Sequence, residues 1–211
     1  MQKPAKSSLS ETKLVQSPQP LHQIICGMTG SGKTTLAKLL ADDYHRRGGA
    51  LAIYDPYHGT WPAARHFRSL DALKNYMQRQ HGLLVIIDES GWKLDRWAED
   101  HNWFATQARH RSHSVIFICQ GYKTLSTTIR DQCRRIWCLP QKWSRMEAIA
   151  EEVNAPWPLP AIPELPADTF FAWRIDVQSP MSRCRAYTFR RGEPIREKLD
   201  VSAAVRYDQT A

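Results

Sequence analysis

The sequence predicts an α/β fold, a mainly parallel central sheet flanked by helices, with a small β-hairpin near the C-terminal end. Three observations predict it. Strand-length apolar runs alternate with helical patterns through most of the chain, as βαβ units with right-handed crossovers do. Two of those runs, Leu83 to Ile87 (LLVII) and Val115 to Cys119 (VIFIC), are continuously apolar, as strands covered on both faces are. A third run ends in a glycine-rich loop that opens straight into a helix.

Residues 1–20 are polar and carry three prolines, too little apolar surface to order themselves, which predicts a flexible tail. Leu21 to Cys26 is the first strand. Gly27-Met28-Thr29-Gly30-Ser31-Gly32-Lys33-Thr34 follows and satisfies G-x-x-x-x-G-K-[ST], the phosphate-binding loop. Such a loop aims backbone N–H groups and a helix N-terminus at one anion. Gly27 through Thr35 are therefore the candidate nucleotide-binding residues, with Lys33 directed at the β- and γ-phosphates and the Thr34 hydroxyl at Mg²⁺. A glycine-rich turn without a ligand is the bland alternative, and the strand–loop–helix context weighs against it. Thr34 to Arg47 is a helix with Leu36, Leu39 and Leu40 on one face, stopped by Gly48-Gly49.

Ala50 to Tyr54 (ALAIY) is a second strand, Tyr57 to Phe67 a loop, and Ser69 caps a helix running to about Gln80. Leu83 to Ile87 then delivers Asp88-Glu89 to the C-terminal edge of the sheet, where open α/β sheets bind ligands. Asp88 is placed to support Mg²⁺, and Glu89 to polarise an attacking water, which favours hydrolysis over transfer to a small acceptor. Capping of the next segment is the alternative for this acidic pair. Trp97 to Arg111 is a helix, and Val115 to Cys119 is a strand ending at Gln120, an amide positioned to sense a γ-phosphate. Thr127 to Cys133 is a short helix, Ile136 to Leu139 a strand, and Trp143 to Val153 a helix. Residues 154–166 carry five prolines and predict an extended connector. Thr169 to Val177 and Arg185 to Arg190 form the hairpin around Ser179-Pro180, and the last residues look frayed. Trp103 and Trp137 are expected to pack rather than stack on single strands, and so are Trp92 and Trp97. The chain thus divides into the tail, a core over 21–153, and a connector with hairpin over 154–211 packed on that core.

The 211 residues carry a net charge of +8, which favours an anionic partner, nucleic acid above all. From Thr106 to Arg145 eight basic residues (Arg109, Arg111, Lys123, Arg130, Arg134, Arg135, Lys142, Arg145) stand against one acid, Asp131. Such clustering suits phosphate contacts indifferent to sequence, with a solvated helix face as the even-odds alternative for any one arginine. Five cysteines without a C-x-x-C pair predict reduced thiols and an intracellular setting. No apolar run is long enough to span a bilayer, and the N-terminus lacks an apolar signal region.

GMTGSGKT, LLVIIDES, ARHRSHSVIFICQ and TTIRDQCRRIWCL, in this order and spacing, resemble the FtsK/HerA superfamily of DNA-pumping ATPases. The small size is most similar to the genome-packaging ATPases of double-jelly-roll, membrane-containing viruses. The resemblance covers about Leu21 to Val153. It departs from cellular members at Gly121-Tyr122, which stands where Arg-Pro often follows the glutamine, and in lacking an accessory DNA-reading domain. It implies ATP hydrolysis with Mg²⁺, translocation of double-stranded DNA into a procapsid, a homo-oligomeric ring taken as a hexamer, and contacts with procapsid or packaging-vertex proteins. It also implies a place in the host cytoplasm or at the packaging vertex. An arginine acting on a neighbour's site is implied too, with Arg109 first, then Arg130, then Arg111. Three other readings stay open: a filamentous-phage assembly ATPase of the zonula-occludens-toxin type, a small-molecule P-loop kinase, and a nucleotide-gated DNA-binding module without turnover.

Overall fold

The computed structural model describes residues 20–57, 59–61, 63–90, 99–157 and 165–200. The polar tail, Trp92, Trp97, most of the proline-rich connector and residues 201–211 lie outside these. One nine-stranded sheet runs through the described chain in the order β3-β2-β4-β5-β1-β6-β7-β8-β9. Its strands are β1 (Gln23–Cys26), β2 (Ala50–Tyr54), β3 (Ala64–Phe67), β4 (Leu83–Ile87), β5 (Ser114–Cys119), β6 (Arg135–Cys138), β7 (Phe170–Asp176), β8 (Arg183–Phe189) and β9 (Arg196–Asp200). β1 to β6 pair in parallel, and β7, β8 and β9 continue from β6 as an antiparallel meander.

The apolar strands behave as their composition requires. Every residue of β1 and β4 is buried, and side chains alternate between the two faces. On one face Ile25, Ile53, Ile86, Ile116 and Ile118 pack against Leu36, Ala37 and Ala41 of helix α1 (Lys33–Arg46). On the other, Ile24, Val85, Ile87 and Phe117 meet side chains from four helices. These are α2 (Leu70–Met77), α3 (Glu99–Thr106), α4 (Thr127–Gln132) and α5 (Trp143–Glu152). Burying one such isoleucine contributes roughly 1.5–3 kcal/mol. Ser69 caps α2 as expected, its hydroxyl accepting from the Ala72 N–H at 3.0 Å.

Four expectations need correction. The loop from Tyr57 to Phe67 contains strand β3, paired from Leu51↔Ala64 to Tyr54↔Phe67, with Ala64 and Phe67 packed against the core and Arg65 and His66 exposed. Helix α2 ends at Met77 rather than near Gln80, and tightens through turns before Gly82. The helix expected to run to Arg111 ends at Thr106, and a separate 3-10 turn spans Ala108–Arg111. There the chain passes through a left-handed Ser112 (φ +58°), and the His113 N–H returns to the Ala108 carbonyl, which swings the backbone into β5. The C-terminal hairpin gains a third strand, since residues 196–200 form β9 against β8.

Two buried histidines tie strand starts to the layers around them. His22 Nδ1 accepts from the Val115 N–H at 3.1 Å, and His113 Nδ1 accepts from the Leu83 N–H at 3.1 Å. The His113 Nε2 lies 3.0 Å from the Met77 carbonyl. Accepting through Nδ1 requires the neutral ring. Burial, with Arg109 nearby, pushes the His22 pKa down to about 4, and burial lowers that of His113.

Candidate functional site

The C-terminal edge of the parallel strands forms a cleft of about 440 Å³. The loop after β1 makes its floor. Gly32 lies in the left-handed region (φ +95°), and a Cβ there would sit 2.5 Å from the Phe170 ring, so conformation and space both demand glycine. Gly27 is held differently: a Cβ would come within 2.8 Å of Leu139 beyond the end of β6. Lys33, Thr34 and Thr35 open α1, and the N–H groups of a first helical turn have no intrahelical acceptor. No acidic side chain occupies that turn, so its positive end is left for an external anion. The Lys33 ammonium arches over the loop and donates to the carbonyls of Gly27 and Met28, both at 2.9 Å.

The loop residues are not equivalent. Thr29, Gly30, Gly32, Lys33, Thr34 and Thr35 face the cleft. Met28 does not: its side chain is exposed and its N–H donates to the Pro140 carbonyl at 3.2 Å. The Ser31 N–H turns back to the Met28 carbonyl at 3.2 Å, and its hydroxyl is buried. Gly27 is buried beneath the loop.

The neighbouring strands supply the rest. Because β5 is inserted between β1 and β4, Gln120 stands between the P-loop and the acidic pair, and Asp88, Glu89 and Gln120 all line the cleft. Glu89 adopts a left-handed backbone (φ +53°), rare for a residue with a side chain, and its N–H donates to Asp88 Oδ1 at 2.8 Å. The Ser90 hydroxyl locks the turn from below by donating to the Ile118 carbonyl at 2.7 Å. Burial, with Asp55 and Glu89 adding repulsion, pushes the Asp88 carboxyl up to about 6. A buried carboxylate so destabilised is suited to a cation. Among the described residues no three His, Cys, Asp or Glu side chains converge as a metal cage. Thr34 and Asp88 both line the cleft, and Mg²⁺ bound with phosphates commonly takes one or two protein oxygens, with phosphates and waters completing its shell.

Four residues lining the cleft escaped the sequence reading: Asp55, Tyr57, Gly59 and Phe170. Asp55, at the end of β2, is buried and accepts from the N–H groups of Tyr57 (2.8 Å) and Gly59 (2.7 Å) and from Trp61 Nε1 (2.9 Å). It ties Tyr57, Gly59 and Trp61 to the end of β2, beside Asp88. The signal was present as an acid closing an apolar strand, with glycine four and tryptophan six positions on. Phe170, the first residue of β7, lies against the P-loop from the C-terminal meander, a contact that local sequence does not announce.

The arginines lie elsewhere. Arg109 is exposed on the 3-10 turn before β5, at the edge opposite the cleft, with Nη1 3.4 Å from Gln132 Oε1. Arg130 on α4 is largely buried, with Nε 3.2 Å from Glu152 and its guanidinium 5.2 Å from the centre of the Tyr122 ring. Arg111 reaches His81 at 3.4 Å. All five cysteines are buried free thiols, and burial pushes Cys119 up to about 12, which makes it a packing group.

Comparison with known proteins agrees with this layout. The genome-packaging NTPase B204 of Sulfolobus turreted icosahedral virus 2, in complex with ATP-gammaS, superposes with a TM-score of 0.57 at 15% identity, covering 79% of this chain and 96% of B204. The fold is a P-loop NTPase fold. The N-terminal domain of zonular occludens toxin from Neisseria meningitidis shares it at a TM-score of 0.50 and 12% identity, over 86% of this chain and 95% of that one. So does the pCW3 conjugation coupling protein TcpA, at 0.52 and 12%, over 86% and 60%. Residues 65–156 match the Poxvirus A32 protein family, and residues 6–88 match the Zeta toxin family. No curated protein matches the chain by sequence.

Proposed function

We propose that this protein is an ATP-hydrolysing translocase that packages double-stranded DNA into a procapsid, working as a homo-oligomeric ring. The observation that carries the reading is the cleft itself. A P-loop, an acidic pair and a glutamine stand on three adjacent strands, β1, β4 and β5, in a fold also found in a packaging NTPase. The loop from Gly27 to Thr35 binds the phosphates, through the first-turn N–H groups of α1 and the Lys33 ammonium swung outward. Thr34 and Asp88 would hold Mg²⁺, which supplies charge neutralisation at the phosphates. Glu89 orients a water and accepts its proton, and its strained backbone sets the carboxylate's direction. Gln120, between Lys33 and Glu89, reports the γ-phosphate. Arg109 at the exposed edge is the first candidate to complete a neighbour's site, ahead of Arg130, which is already engaged by Glu152.

The core of the machine is residues 21–153, with the C-terminal hairpin as its extension. No helix among the described residues is long and apolar enough to cross a membrane. We place the protein in the host cytoplasm or at the packaging vertex, with procapsid proteins as partners. One second reading, phosphoryl transfer to a small acceptor, would use the same P-loop and acidic residues of the cleft. Turnover decides between them. As a hydrolase, the wild type converts ATP to ADP and phosphate with water alone, faster per chain as concentration drives ring assembly. ATP consumption only after a small acceptor is added would support the kinase instead.

A further inference from the structure

Along the C-terminal edge the strands run β2, β4, β5, β1, β6, β7, so Asp55, Asp88, Glu89 and Gln120 all enter the cleft from one side of the P-loop. From the other side comes one apolar group, Phe170. Because β7 is antiparallel to β6, its first residue emerges at this same edge. The ring touches the space above Gly32, is half-buried, and is backed by Phe189, with centroids 5.5 Å apart and planes 24° from parallel.

A nucleotide in this cleft has one orientation compatible with hydrolysis. Its terminal phosphate must reach Glu89 and Gln120, so the ribose and base extend away from the acids, across Gly32 and Thr35. We infer that Phe170 is the base-side wall of the nucleotide site, its ring stacking on the base or ribose of a bound nucleoside triphosphate. This inference rests on the nucleotide reading above. A ring offers surface without hydrogen bonds to base edges, so this contact discriminates little between ATP and GTP. The C-terminal meander is thereby part of the nucleotide site and not an appendage.

The test is equilibrium binding of ATP, GTP and inorganic tripolyphosphate, with Mg²⁺, to the full chain carrying Phe170→Ala or Phe170→Leu. Base–aromatic stacking implies that Phe170→Ala weakens ATP and GTP alike, by roughly 5- to 100-fold. Tripolyphosphate, which has no base, should bind within about twofold of wild type, since its contacts are those of the P-loop. Phe170→Leu keeps apolar bulk against Gly32 and should show the same split with a smaller loss. Equal losses for tripolyphosphate and nucleotide would mean the ring only shapes the loop, and undiminished nucleotide binding would mean no contact; either result overturns the inference. A wild type that binds tripolyphosphate and no nucleotide would remove the nucleotide reading itself, and this inference with it.

Discussion

Glu89 holds a left-handed backbone (φ +53°) directly after a buried strand. That conformation costs a side-chain-bearing residue about 1–2 kcal/mol, and glycine almost nothing. Glu89→Gly should therefore raise unfolding free energy by about 1 kcal/mol while abolishing turnover. A fall in stability would show that the carboxylate anchors the fold. Glu89→Gln should keep nucleotide affinity and lose turnover by about 100-fold or more, whereas Lys33→Ala should lose affinity. Hydrolysis by Glu89→Gln at the wild-type rate would remove Glu89 from the mechanism. Asp88 and His22 shift in opposite directions over one pH window. Asp88 is raised from 3.8 to about 6, so the folded state holds its proton longer, and ionisation erodes stability as pH rises through that range. His22 is lowered from 6.5 to about 4, so its contribution is present above 6.5 and is lost as pH falls towards 4. The two slopes oppose each other. Asp88→Asn should give a steeper rise of stability with pH between 4 and 6 than the wild type, read by denaturant melts. An unchanged slope would mean that Asp88 titrates normally.

At the scale of elements, the C-terminal meander continues the sheet through β6–β7 pairing from Arg135↔Asp176 to Cys138↔Trp173, reinforced by Arg135 Nε donating to Asp176 at 2.7 Å. Phe189 of β8 is buried against Phe170 and the face that α1 covers. Phe189→Ala should cost about 3–5 kcal/mol, and unfolding should remain a single transition. A separate early transition would show that the hairpin unfolds apart from the core. The strands buried on both faces, β1, β4 and β5, were legible because burial of both faces forces continuous apolar runs. β3 (ARHF) was not, because an edge strand paired to β2 needs no continuous apolar run. β9 (REKLD) is hidden for the same reason at the other edge. Within the site, the P-loop, Asp88, Glu89 and Gln120 could be read because their chemistry is local to strand ends. Phe170 could not, since its role depends on a strand 137 positions beyond Lys33 arriving beside Gly32.

Across the whole molecule, the basic excess divides between the sheet's two edges. Arg109, Arg111 and Arg134 precede β5 and β6, while Lys142 and Arg145 follow β6 at the cleft edge. Lys123 and Arg130 pair with Glu152, and Arg135 pairs with Asp176. Phosphate binding should therefore come from the exposed members. Arg134→Ala and Arg145→Ala, both at exposed positions, should each reduce the salt dependence of DNA affinity by about one unit of slope. Arg135→Ala should leave that slope unchanged. Equal slopes for all three variants would detach these arginines from DNA. The central claim joins hydrolysis in the cleft to DNA held by these edges. It is tested most directly by the steady-state rate of ATP hydrolysis per chain, measured with and without duplex DNA while particle size is followed in the same samples. The account predicts slow turnover for dispersed chains and a rise when duplex DNA and ring-sized particles are both present, irrespective of DNA sequence. A rate per chain that is the same for a demonstrated monomer as for the assembled protein, and indifferent to duplex DNA, would contradict it.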